Sequence, residues 1–291
     1  MATTSFVYPP PTDGKPFRLV MGLRQLDPAN FLEGGSDLLT QIQERNQIIE
    51  LKREIVFQAL PDFTDPAEQF KELILQNLRQ FHSHTYQITG KNLIEHKPSG
   101  IKVDLDTDHP FVCLGRIIPE DLCLMSRIEN EWVLTAGLVA YPSRWSLQEK
   151  IGQGLDQIHQ PVPDYQKALQ PVMTPTFDKL VWQRPVWRLN WALHSSPQLH
   201  QPTAVHMDTD PWDYWWRTER QTLTKLEGQD HILFTIRNRT EPLSLIKQNP
   251  EAAEGFGEAL ASLSPETIAY KGLSKQHQQI VDALCSLKLG N

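Results

Sequence analysis

The stretch "DLCLMSRIENEWVLTAGLVAYPS", residues 121–143, decides the fold class of this chain. Both halves are rich in large apolar residues, and Glu129-Asn130 parts them, so the stretch predicts two strands joined by a tight turn. Next comes "EKIGQGLDQIHQPVPDY" (149–165), helical until it meets Pro161 and Pro163. A second amphipathic helical stretch follows over 165–180. Strand character returns in "PVWRLNWALHS" (185–195), where Val186, Arg188, Asn190 and Ala192 alternate with Trp187, Leu189, Trp191 and Leu193. "RTERQTLTKL" (217–226) and "HILFTIRNR" (231–239) predict two more strands around a turn at Gly228.

Working outward, residues 37–82 read as helical. "SDLLTQIQERNQIIELKREIVFQAL" (36–60) starts at a Ser36 or Asp37 cap, and "DPAEQFKELILQNLRQF" (65–81) starts with Asp65 as cap and Pro66 at the first helical position. The tail from Ser264 is helical as well, with Glu266 in its first turn. The order is helices, two strands, helices, three strands, helix. That is α+β: an antiparallel sheet of about five strands with flanking helices. The expected division is an extended arm over 1–16, a helical N-terminal extension over 17–96, and a sheet domain with its C-terminal helix over 97–291.

Composition narrows the function classes. The chain has 291 residues, 40% apolar and 22% charged, which suits a soluble globular protein with a sizeable core. Its formal net charge of -7 argues against sequence-independent binding to nucleic acid, which needs a basic face. No apolar run nears the ~20 residues that span a bilayer. The polar, proline-rich start lacks the regions of a signal peptide, so the expected location is cytoplasmic. The three cysteines, Cys113, Cys123 and Cys285, match neither a disulfide framework nor a zinc pattern. Cys113 and Cys123 read as small core residues, with a thiolate haem ligand as the alternative.

The order of elements is that of a PAS domain, a small antiparallel sheet crossed by helices that enclose a ligand. A longer pattern is more specific. "EDLCLM" (120–125), "AGLVAYPSRWSLQEKIGQGLDQIHQPVP" (136–163), "RPVWRLNWAL" (184–193), "RTERQTLTKL", "FTIRNRTEPL" (234–243) and "AYKGL" (269–273) occur in this order. Together they resemble the haem-binding subunit of the haem-dependent oxidative N-demethylases. The resemblance covers about 120–273, and the N-terminal helices more loosely. It implies a PAS-like domain carrying haem b. Such a domain would oxidise a small secondary amine with O2 and with electrons from flavin and iron–sulfur centres on partner reductase subunits. No dinucleotide fingerprint or iron–sulfur cysteine spacing appears in this chain.

His159 is then the expected axial ligand to the haem iron, because haem-binding PAS domains take it from this helix. Read without the resemblance, His159 is a helix C-terminal residue hydrogen-bonded to the last carbonyls. His194 is the rival: an alternative ligand, a distal donor, or a polar residue at a strand edge. The series His194, His200 and His206, with Asp208 and Asp210 nearby, invites a non-haem metal site, but it lies in a proline-rich loop without helical ligand spacing. In "RTERQTLTKL", alternation sets Arg217, Glu219 and Gln221 against Thr218, Arg220 and Thr222. A carboxylate there would hold an alkylammonium, with Glu219 the first choice, and an arginine would take a haem propionate or polarise bound oxygen. Taken alone, the pattern is a salt-bridged surface strand. Arg237 and Arg239 are further propionate candidates. Trp191, with Trp145 and Trp187, is a candidate pocket wall. The expected roles are catalytic for Glu219, Arg220 and His194, and cofactor-binding for His159, Arg217, Arg237 and Trp191. A haem-binding gas or redox sensor without turnover, and a haem-free PAS-like scaffold, are the other readings.

Overall fold

The computed structural model describes residues 5–205 and 207–287. The strands are β1 (Arg24–Gln25), β2 (Phe57–Ala59), β3 (Tyr86–Thr89), β4 (Leu93–His96), β5 (Ile101–Asp104), β6 (Asp121–Ile128), β7 (Glu131–Leu138), β8 (Val186–His194), β9 (Trp215–Lys225) and β10 (His231–Pro242). The helices are α1 (Leu38–Val56), α2 (Thr64–Phe81), α3 (Pro110–Gly115), α4 (Leu147–Lys150), α5 (Leu155–His159), α6 (Tyr165–Ala168), α7 (Gln170–Asp178), α8 (Pro250–Ala261), α9 (Pro265–Tyr270) and α10 (His277–Ser286). No helix among the described residues is long and apolar enough to cross a membrane.

The fold is α+β. The large antiparallel sheet has seven strands in the order β1-β8-β9-β10-β6-β7-β2. Five of them are the strands the sequence predicts. β1 and β2, each three residues or fewer, extend the two edges and correct the count of about five. The β6–β7 turn sits at Glu129-Asn130, where Glu129 takes a left-handed φ of 53°. Gly228 supplies the φ of 66° that the β9–β10 turn needs.

The N-terminal third carries more strand than expected. Helix α1 stops at Val56 and the chain runs on as β2, paired with β7 at Phe57↔Leu138. Phe57, Ala59 and Leu60 extend the apolar spacing of α1, so pattern alone did not mark the break. Helix α2 begins at Thr64 with Phe63 before it, so Asp65 lies in the first turn instead of capping it. A separate three-stranded sheet, β3-β4-β5, spans residues 86–104, with turns at Gly90 (φ 64°) and Gly100 (φ 68°). At the other end, Ser264 caps α9 by accepting Thr267 N–H at 3.2 Å, as the sequence predicts.

Alternation gives the large sheet two unlike faces. On the first, Val186, Leu223, Ile232, Phe234, Cys123 and Met125 pack under Leu147, Leu155, Tyr165, Leu169, Met173 and Phe177 of the α4–α7 excursion. On the second, Leu122, Leu124 and Leu233 pack against α2, α3 and the small sheet. Leu193 and Trp216 pack there against Phe256, Leu260 and Leu284 of α8 and α10. Cys113 and Cys123 are buried, with the Cys123 thiol pushed up by burial, so neither is poised as a thiolate.

Candidate functional site

Helix α5 is five residues long and ends at His159. Its ring is fixed twice. Nδ1 lies 2.8 Å from the Leu155 carbonyl oxygen, one turn back, and so carries the proton. The ring also stacks on Tyr165 at 5.4 Å between centroids. Burial lowers the pKa of His159 against the opposing pull of the Leu155 carbonyl, so the imidazole is neutral. Nε2 is left as a lone pair with no hydrogen-bond partner among the described residues. A carbonyl-anchored Nδ1–H with a bare Nε2 is the arrangement that orients a metal-ligating histidine.

The facing strands supply polar groups. Arg188, Asn190 and Ala192 of β8 stand opposite Gln221, Glu219 and Arg217 of β9 on the excursion face. The Glu219 carboxylate is gripped from both sides: Asn190 Nδ2 and Gln221 Nε2 each donate to Oε2 at 3.1 Å. Oε1 has the longer contact with Arg217 Nε at 3.8 Å. Arg217 is fully buried. It donates to the carbonyl oxygens of Leu199 (2.7 Å) and Tyr141 (2.6 Å) and to Asn238 Oδ1 (2.8 Å). Asn238 in turn donates to Asp121, which pairs with Arg45 at 2.7 Å in full burial. Arg217 is therefore a support beneath Glu219 and not an open anion site.

Arg188 is the group the sequence reading passed over. Its Nε is buried without a hydrogen-bond partner among the described residues. Burial lowers its pKa and the Glu219 charge opposes that, while its own charge helps depress His159. It is thus electrostatically linked to both residues. Its place in the β8 alternation, beside Asn190 and across from Gln221, was the available signal. Lys271 was also left without a role. Its ammonium sits 3.9 Å from the Trp191 ring centre, donates to the Trp191 carbonyl at 3.0 Å, and is pushed down to about 8 by burial.

Three expected site residues lie on the opposite face. Arg220 and Arg237 pair across β9 and β10, one strand position out of phase with Glu219. Arg220 donates to the carbonyls of Asn30 and Phe31 and lies over Trp187. Arg237 donates to Asp37 at 3.0 Å and to Gln41. Arg239 pairs with Asp37 at 2.5 Å. These guanidiniums hold the 30–41 segment on the sheet and do not join His159. Asp37, expected as a helix cap, makes no capping bond because its carboxylate serves them. Trp191 stacks on Trp216 at 5.1 Å and meets Phe256, within the α8 cluster.

His194 shares the face of Glu219 but is 1% exposed. Its Nδ1 bonds Gln201 at 2.9 Å and its Nε2 bonds Ser143 at 3.3 Å, so both nitrogens are taken. Burial, with Arg217 and Arg144 adding to it, pushes it down to about 3. His200 bonds the Ala140 carbonyl at 2.8 Å, and His206 lies outside the described residues. Among the described residues, no group of three or more His, Cys, Asp or Glu converges as a metal site.

Compared with known families, residues 22–281 match the one described as haem-dependent oxidative N-demethylase, alpha subunit-like. The match spans most of the 291 residues, and the chain belongs to that family.

Proposed function

We propose that this chain is the haem-carrying subunit of an enzyme that oxidatively demethylates a small secondary amine, with His159 as the residue that would hold the iron. The observation that carries the reading is the state of His159: Nδ1–H tied to Leu155, Nε2 bare, on the sheet face that also presents Glu219. The residues fit a haem. Leu155 and Ile158 flank the ligand with apolar surface, and the partnerless Arg188 Nε is matched to a propionate. When bound, the haem would supply oxygen binding and one-electron chemistry.

The chain's own residues would do the rest. Glu219 accepts N–H hydrogen bonds from an alkylammonium through Oε1, the oxygen its amide neighbours leave open. Asn190 and Gln221 hold that carboxylate in one orientation before the amine arrives, so little reorganisation is needed on binding. Arg217 lies beneath it, with Nε 3.8 Å from Oε1. The expected products are the demethylated amine and an aldehyde. Electrons would come from flavin and iron–sulfur centres on partner subunits. The PAS-like reading rests on element order, with α4–α7 between the β6–β7 pair and β8–β10, and residues 97–291 as that unit.

The test is to load the full chain with haem, titrate it with mono-, di- and trimethylammonium, and record the visible spectrum. A spectral shift with one of these amines, lost in Glu219→Gln, is expected, with formaldehyde released once a reductase is supplied. Haem binding with no response to any methylated amine would point to a sensor.

A further inference from the structure

The proline turn after α5 does more than end the helix. Pro161 and Pro163 fix their own φ, Val162 donates its N–H to the His159 carbonyl at 2.9 Å, and Asp164 takes a left-handed φ of 59°, which aspartate tolerates. The chain reverses there, and Tyr165, the first residue of α6, comes back onto the residue where α5 ends. The two rings lie 16° from parallel with their centroids 5.4 Å apart.

Tyr165 is itself held. It is buried within the cluster formed by the α4–α7 excursion. Its hydroxyl donates to Asp156 Oδ1 at 2.5 Å, and Gln170 Nε2 donates to Oδ2 of the same carboxylate at 2.9 Å. Asp156 follows Leu155, whose carbonyl takes the Nδ1–H of His159. Both restraints on His159 therefore return to the first turn of α5, one through Leu155 directly and one through Tyr165 and Asp156. They act on different freedoms. The carbonyl bond anchors Nδ1 but leaves the ring plane soft, because the outer torsion of a histidine has a broad well. A flat ring laid alongside removes that freedom, and the hydroxyl bond to Asp156 keeps the tyrosine ring from sliding. Outer-shell partners of this kind set how a ligating imidazole meets its metal. Core packing alone asks for neither the near-parallel rings nor an exposed carboxylate at the hydroxyl.

We propose that Tyr165 is a positioning residue for His159, with Asp156 as its anchor: together they fix the plane of the imidazole and so the direction in which Nε2 points. The inference rests on the reading of His159 as the residue that would hold the iron.

The test uses the full chain in two states. Without haem, nitrogen-15 NMR follows the exchange of the His159 Nδ1 proton with water. With haem, resonance Raman of the ferrous form records the iron–histidine stretch, and titration gives the haem affinity. Expected in Tyr165→Leu are faster exchange, a shifted or broadened stretch, and haem bound about tenfold or more weaker. Tyr165→Phe and Asp156→Ala each keep an aromatic ring and remove one hydrogen bond, so each should weaken haem by only about two- to fivefold. Asp156→Asn retains an acceptor for the hydroxyl and should behave as wild type. Wild-type exchange and stretch in Tyr165→Leu, or in Asp156→Ala should Tyr165→Leu fail to fold, with haem bound through His159, would overturn the proposal alone. Wild type that binds no haem would overturn the reading on which it rests, while faster exchange in Tyr165→Leu would still uphold the positioning of the ring.

Discussion

The two faces of strands β8–β10 carry similar side chains and put them to different use. On one, Arg220, Arg237 and Arg239 meet carbonyls and carboxylates of residues 30–41 and clamp the N-terminal segment to the sheet. On the other, Glu219 is held by two amides and one long ionic contact, Arg188 keeps an unpartnered Nε, and His159 presents a bare Nε2. The difference teaches that a charged residue in a strand says little by type. A group whose bonding capacity is consumed is holding the fold, and one whose capacity is oriented but unspent is available to a ligand.

Substitutions can break this contrast. The largest effect is expected beneath the site: Asp121→Ala strands Arg45 in full burial and should cost about 3–5 kcal/mol in urea unfolding. On the clamping face, Arg220→Met should cost about 1–3 kcal/mol by leaving the carbonyls of Asn30 and Phe31 without their donor, with haem affinity unaltered. A changed haem spectrum in that variant would blur the division between the faces.

Acid titration sharpens the contrast at His194. Its folded pKa of about 3 lies below the unfolded value of about 6.5. The unfolded state therefore binds the extra proton, and the stability tied to neutral His194 is full above pH 6.5 and lost as pH falls toward 3. The stability difference between wild type and His194→Gln should shift against wild type by up to about 1.4 kcal/mol per pH unit between pH 6 and 4. Parallel curves would mean that His194 is not buried as a neutral base. The smallest effect on stability is expected at Glu219→Gln, under about 1 kcal/mol by urea unfolding, because Asn190 and Gln221 can donate to the new carbonyl as they did to the carboxylate.

Much of the fold was legible because its signals are local. The β6–β7 hairpin, the alternation in β8 and the Gly228 turn each announce themselves within a dozen residues. β2 was not, because the Phe57 and Ala59 that pair with β7 continue the apolar spacing of α1. The small sheet was legible in principle: "YQITGKNLIEHKPSGIKVD" (86–104) has turn glycines at 90 and 100 between short alternating runs. Helix α8 hid behind Gly255 and Gly257, which allow close approach to Thr12 and Cys285 while lowering helix propensity. At the site, alternation separated Glu219 from Arg220 correctly but could not say which set meets the helical excursion. That depends on residues 30–41 folding over one face, a contact some 190 residues distant along the chain. Arg188 was missed because an arginine among tryptophans looks like strand surface until its lack of a partner is seen.

The most direct measurement is the absorption spectrum of the full chain loaded with haem, wild type beside His159→Ala. A Soret band in the wild type that vanishes or shifts in the variant is the predicted result. An unchanged band in His159→Ala, or no haem bound by wild type at stoichiometric loading, would contradict the central claim that His159 Nε2 holds the iron.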